Sequence, residues 1–108
     1  MNYHESKKCI EACLECIAAC NYCTEFCLKE VDLNEMVNCI HLNMECAAIC
    51  YSSVQLLSIE STHSQEILKL CAKICGECAE ECGKHDHDYC RDCAKKCSDC
   101  AVLCERMN

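Results

Sequence analysis

Apolar and polar positions along this chain follow one arrangement in four successive segments: a file of apolar residues at alternating steps of four and three, enclosed by charged and polar ones. The clearest is CIEACLECIAACNYCTEFC, residues 9–27, whose file is Cys9, Cys13, Cys16, Cys20, Cys23 and Cys27. An α-helix turns every ~3.6 residues, so these steps keep all the thiols on one stripe, roughly 27 Å long at the helical rise. In a strand the same steps would scatter them to both faces. The pattern predicts a first helix over residues 5–30.

A second helix is predicted over residues 33–57, with the file Met36, Cys39, Asn43, Cys46, Cys50, Ser53 and Leu57. Asp32 and Glu35 read as a capping box at its start. Residues 58–64 offer several turn and cap residues before a third helix over 64–82, whose file is Ser64, Leu68, Cys71, Cys75, Cys78 and Cys82. Gly83 falls where a C′ glycine ends a helix, and Asp86 or Asp88 can cap a fourth helix carrying Cys90, Cys93, Cys97, Cys100 and Cys104. Short connections favour antiparallel neighbours, so the expected fold is all-α: an up-down-up-down four-helix bundle with a cysteine-lined core, one domain over residues 1–108. Such a seam normally carries leucine or isoleucine. Here the apolar residues flank it, Ile10, Leu14, Ile17 and Leu28 on one side and Ala12, Ala19 and Phe26 on the other. These flanks widen the buried face, and any surplus can form an oligomer interface.

Composition supports helices and sharpens the question of the thiols. The chain has no proline and two glycines, Gly76 and Gly83, so the turn residues that strands and hairpins need are nearly missing. It has 18 cysteines in 108 residues, well above the ~8–10% that already marks a special scaffold. One buried cysteine is ordinarily a small hydrophobe. A whole register of them calls for sulfur chemistry, because alanine or leucine would fill the space without the reactivity.

Residues 1–8 contain no apolar leader-like stretch, and no run of about 18 apolar residues occurs anywhere, which predicts a cytoplasmic location and no membrane partner. Thiols are kept reduced there, so cysteines in number point to metal rather than disulfides. The net charge of −8, with both signs interspersed and no basic tract, argues against a nucleic-acid partner.

Charge also discriminates among metals. Burial keeps a thiol neutral. If Cu(I) replaces each hydrogen, one positive ion matches one thiolate and the interior stays near neutral however full it becomes. A closed zinc site of four thiolates carries two net negative charges, and several in one narrow core repel one another. Cu(I) is soft and suits thiolate ligands. Thiols at i, i+3 and i+4 have Cβ atoms roughly 5–6 Å apart and can converge on a shared ion. The alternatives are other thiolate-metal binding, zinc or iron–sulfur, and thiol redox chemistry. CxxC pairs recur at Cys13 and Cys16, Cys20 and Cys23, Cys75 and Cys78, Cys90 and Cys93, and Cys97 and Cys100. A redox motif needs a βαβ setting and a helix N-terminus, and only Cys90 and Cys93 lie near a helix start. Ferredoxin-type cluster motifs need loops and a proline, which this chain lacks.

With these residues in view, the sequence resembles the four-helix-bundle copper storage proteins, in particular their cytosolic class. The first helix carries six cysteines in file, and CxxxCxxCxxxC and CxxCxxxCxxC patterns occupy the last two. The resemblance implies storage rather than catalysis: many Cu(I) ions per chain in thiolate-bridged clusters, held by the inward cysteines of all four files, Cys39, Cys46 and Cys50 included. It also implies a homo-oligomer, with a tetramer as one size, and no enzyme activity. Asn43 interrupts the file and leaves the ligand set open at its level. A copper chaperone or a small thiol would be the donor, and capacity would be on the order of one ion per cysteine, or half that if each ion keeps two thiolates.

In an antiparallel bundle one end gathers Met36, Cys39, Cys82, His85, His87 and Cys90, and Met36, His85 and His87 are the candidate ligands for admitting copper there. The competing reading makes both histidines solvated loop residues. The opposite end gathers Tyr3, Leu57, Ile59 and Leu68, expected to plug it. His41 lies off the file and is expected to be exposed, Met44 to pack on the flank.

Overall fold

A computed structural model describes residues 1–107. Four helices follow one another: α1 (Tyr3–Cys27), α2 (Leu33–Ser58), α3 (Ser64–Cys82) and α4 (Asp88–Arg106). Among the described residues there is no strand. Each helix packs on its two chain-order neighbours, with α1 against α4 closing the ring. The thiol pairs give the direction of every packing. Along α1 and α4 the partners run Cys9 with Cys104, Cys13 with Cys100, and Cys16 with Cys97, one series rising as the other falls. Cys39 with Cys82, Cys46 with Cys75 and Cys50 with Cys71 do the same for α2 and α3. Neighbours are therefore antiparallel, and the molecule is a rod of 45 × 18 × 17 Å.

α1 starts two residues before its expected beginning because Asn2 and Glu5 form the capping box that the sequence reading placed elsewhere. Glu5 N donates to Asn2 Oδ1 and Asn2 N donates to Glu5 Oε1, each at 2.9 Å. At its other end the helix stops at Cys27, and Lys29 and Glu30 belong to the turn into α2. The expected Asp32–Glu35 capping box is not formed: Asp32 stands at the N-cap, but its side chain caps nothing. Asp86 and Asp88 do not cap α4 either. Both carboxylates pair with the Arg91 guanidinium, and His87 occupies the N-cap position. An arginine within reach offers a charge-assisted partner that outcompetes a backbone N–H. Gly83 does end α3, but with φ −65°, in the right-handed region, so no left-handed glycine cap is present. The positive φ falls instead on Glu60, at 54°, in the turn between α2 and α3.

Ile10, Ala12, Ile17 and Ala19 are buried and close the seams beside the α1 file, whereas Leu14 and Leu28 are exposed. Met44, expected to pack on the flank, is exposed as well. At the end away from Met36, Leu57 and Leu68 are fully buried and fill the bore. Burial of each is worth about 1.5–3 kcal/mol. Tyr3 and Ile59, expected to share in the plug, are exposed. The remaining plug positions go to the buried serines Ser6, Ser53 and Ser64, whose hydroxyls donate to the backbone carbonyls of Asn2, Ile49 and Ser61 and so present no unmet donor to the core.

Candidate metal centre

Every one of the 18 cysteines is buried, with exposure of 1% or less, and none is joined in a disulfide. Because the four files face a common axis, thiols meet across helices and along them. Sulfur–sulfur separations run from 3.2 Å for Cys9 with Cys104 to 3.9 Å for Cys50 with Cys71. A disulfide would need roughly 2.05 Å. With metal–sulfur bonds of roughly 2.3 Å, the figure for zinc, two sulfurs on opposite sides of an ion lie about 4.6 Å apart. The sulfurs are thus spaced to share ions after small rotamer changes.

Groups of four sulfurs, each with all members within 4.8 Å of one another, trace the bore. Cys13, Cys71, Cys100 and Cys104 lie toward the plugged end, and Cys23, Cys27, Cys39 and Cys90 toward the other. Between them, Cys16 and Cys46 belong to two groups at once, as do Cys20 and Cys97. Shared members join the middle groups, and contacts of Cys71 with Cys50 at one end and of Cys82 with Cys39 and Cys78 at the other carry the sulfur path on into the end groups. Burial pushes the Cys27 thiol up to about 12, and burial, reinforced by neighbouring sulfurs, raises Cys90 in the same way. These thiols enter any metal exchange as neutral S–H groups, and each must give up a proton to bind an ion.

Among the described residues, Asn43 is the one side chain in this bore that brings both oxygen and nitrogen among the sulfurs. Its Oδ1 accepts from Cys78 at 3.2 Å, Cys93 at 3.3 Å and Cys82 at 3.4 Å, while its Nδ2 donates to Cys39 Sγ at 3.7 Å.

The Met36 end gathers the residues the sequence reading assigned to it. Met36 is buried at 2% exposure. His85 Nε2 lies 2.9 Å from Glu81 Oε2, and His87 Nδ1 lies 3.8 Å from Glu30 Oε2, with imidazole exposures of 15% and 37%. His85 is thus half-buried against Glu81, while the His87 imidazole stands more open at the rim. The rim holds three residues that sequence reasoning missed, Glu30, Glu81 and Tyr89. Tyr89 stacks on the His87 ring, with centroids 5.1 Å apart, and donates its hydroxyl to Glu30. Burial and the Glu30 carboxylate both hold the Tyr89 phenol protonated. The Glu81–His85 pair could have been read from its i, i+4 spacing on α3 and its continuation. Glu30 and Tyr89 are 59 positions apart and carried no such signal. His41 is exposed beside Glu45, as expected.

A helical bundle whose interior is a continuous file of reduced thiols defines a metal-holding protein of large capacity. Residues 2–108 match the family model of the copper storage proteins. The chain is 48% identical over 86 residues to the uncharacterized cysteine-rich protein YhjQ of Bacillus subtilis (strain 168), covering 80% of each chain. Its structure matches the Cu(I)-bound copper storage protein BsCsp3 with a TM-score of 0.91 at 48% identity, covering 94% of this chain and 96% of that one. It also matches a cytosolic copper storage protein from Streptomyces lividans with five coppers, with a TM-score of 0.93 at 32% identity and coverage of 97% and 92%. The chain belongs to the copper storage protein family, a family of storage rather than catalytic proteins.

Proposed function

We propose that this chain is a cytoplasmic store for Cu(I), working as one domain, in which the cysteines of all four helices are the ligands and no substrate is turned over. The observation that supports it most directly is the continuous path of buried sulfurs, every member in reach of others on neighbouring helices. Copper arrives from a chaperone or a small thiol by ligand exchange. A donor thiolate releases Cu(I) and takes up the proton that the cysteine gives up, so charge and atoms balance without any change of oxidation state. The core stays near neutral throughout, and this permits many ions in one bore.

The Met36, His85 and His87 end is the admission route in this reading. The plugged end offers Leu57 and Leu68, whereas here imidazoles and a thioether line the rim. Self-association is part of the same reading. Val37, Met44 and Tyr51, one heptad apart on α2, are exposed, as are Leu14 and Leu28 on α1, and association would bury such apolar surface.

The deciding experiment is anaerobic titration of the reduced protein with Cu(I) against a competing chelator, counting metal per chain. Binding on the order of one ion per cysteine, or half that number, is expected. Saturation after only a few ions would argue against a store.

A further inference from the structure

Contacts across the bore recur at steps of seven residues along every helix, and each step is one level of the bundle. A level toward the rim holds Cys23, Cys39, Cys82 and Cys90: Cys39 lies 3.4 Å from Cys82 and 3.9 Å from Cys23, which lies 3.9 Å from Cys90. Seven residues on, Cys16 lies 3.5 Å from Cys46 and 3.4 Å from Cys97, and Cys46 lies 3.3 Å from Cys75. A third step in the same register reaches Cys9 and Cys104, 3.2 Å apart on α1 and α4, but Ser53 on α2 and Leu68 on α3. Both are completely buried. The level is thus half sulfur. The next file positions outward are the buried Ser6, Leu57 and Ser64 and the partly buried Met107, so no thiol follows.

Neither Ser53 nor Leu68 can take an ion on the terms that the thiols offer. Serine differs from cysteine by one atom, but that atom is a hard oxygen, a poor ligand for a soft ion, and it keeps its hydrogen. The Ser53 hydroxyl is also turned back along its own helix, donating to the Ile49 carbonyl at 2.8 Å. Leu68 has no ligand atom at all. The pair sets a small side chain against a large one and leaves no unmet polar group at this level. Met107, one step further out, offers a thioether with no hydrogen to exchange, so an ion there would carry an uncompensated charge beside Leu57 and Leu68.

We propose that Ser53 and Leu68 end the copper chain and thereby set the capacity of the store. They reduce a third four-thiol level to the pair Cys9 and Cys104, which holds the last ion between two thiolates under a dry roof. The stop is chemical at Ser53 and steric at Leu68. Its balance is that of the other sites: each Cu–S bond replaces an S–H bond, and the proton leaves with the donor ligand. This inference rests on the storage reading and adds an upper limit to it, set by two positions of the sequence.

The test completes the level. The double variant Ser53→Cys with Leu68→Cys and the parent chain are titrated anaerobically with Cu(I) against a chelator, and metal per chain is counted at saturation. The expected result is a gain of about one to two ions over the parent, the number that two further thiols hold at two thiolates or one per ion. Ser53→Cys alone changes a single atom, should keep the fold, and should gain about one ion by bridging to Cys9 or Cys104. Ser53→Ala should leave the count unchanged, because the hydroxyl is no ligand. Circular dichroism and a thiol count on the unfolded chains establish that each variant is helical and carries its added cysteines. A helical double variant that saturates at the parent's count would overturn the proposal, as would a loss of copper in Ser53→Ala. If the double variant does not fold, Ser53→Cys decides alone. A parent chain that saturates after a few ions overturns the storage reading itself, whereas a parent that fills while the variants gain nothing overturns this inference only.

Discussion

A cysteine in this bundle is a core residue and, in the proposed store, a ligand as well, and the two roles ask for the same geometry. Zero exposure and sulfur contacts below 4 Å satisfy packing in the apo state and coordination in the loaded one. Removing a thiol should therefore cost copper more than it costs stability. Cys46→Ala, at a sulfur shared by two groups, is expected to lower capacity by one to two ions (roughly the number that share one sulfur) while leaving a folded helical chain, checked by metal counting beside circular dichroism. The rim residues should affect rate instead. Replacing both His85 and His87 by alanine is expected to slow loading several-fold with the final capacity nearly unchanged, followed by stopped-flow absorbance in the ultraviolet. Unchanged kinetics would remove these imidazoles from the admission route.

At the scale of the helix, the caps show how local signals compete. Asn2 and Glu5 make a reciprocal box, and Asn2→Ala should cost about 1 kcal/mol, read as a lower denaturant midpoint of the apo chain. Asp32→Ala should cost much less, because its side chain caps nothing. The difference between these two sites was not legible in sequence: both carry an acceptor followed three residues later by Glu, at residues 2 and 5 and at residues 32 and 35. Which box closes depends on the path by which the chain enters the helix. Asn2 is extended, with φ −91° and ψ 170°, whereas Asp32 has ψ 80°, which turns its carboxylate away. The Arg91 pairings of Asp86 and Asp88 are a second local choice decided by a neighbour rather than by propensity.

For the whole molecule, Cys27 couples folding to pH and the release of thiol protons couples copper to it, each with a definite sign. Cys27 is pushed from its ordinary 9.0 up to about 12, so folding favours the protonated form. Its contribution is complete below pH 9 and is lost as pH rises from there toward 12, where the unfolded chain gains by ionising. The apo protein should melt about 5 °C or more lower at pH 10.5 than at pH 8, measured by thermal circular dichroism under reducing conditions. Copper binding runs with the opposite proton balance, one proton released per thiol loaded. Affinity per ion should fall about tenfold for each unit by which pH is lowered, read by chelator competition between pH 6 and 8.

The sequence by itself determined the helices, the four files and the inward direction of every thiol, because steps of four and three leave a helix no other way to bury them. Met36, Asn43, Ser53 and Leu57 were placed on the α2 file by the same rule, and all are buried. Tertiary structure alone decided which sulfurs meet, since Cys16 touches Cys46 and Cys97 across sequence gaps that no period spans. It also decided that Glu30 closes on His87 and Tyr89, that Leu57 and Leu68 fill one end while Tyr3 and Ile59 stay wet, and that Asn43 bridges two groups of sulfurs. Periodicity fixes the face a residue occupies along its own helix. The partner across the bore depends on how four helices slide and lean against one another, and no single segment of the chain carries that information.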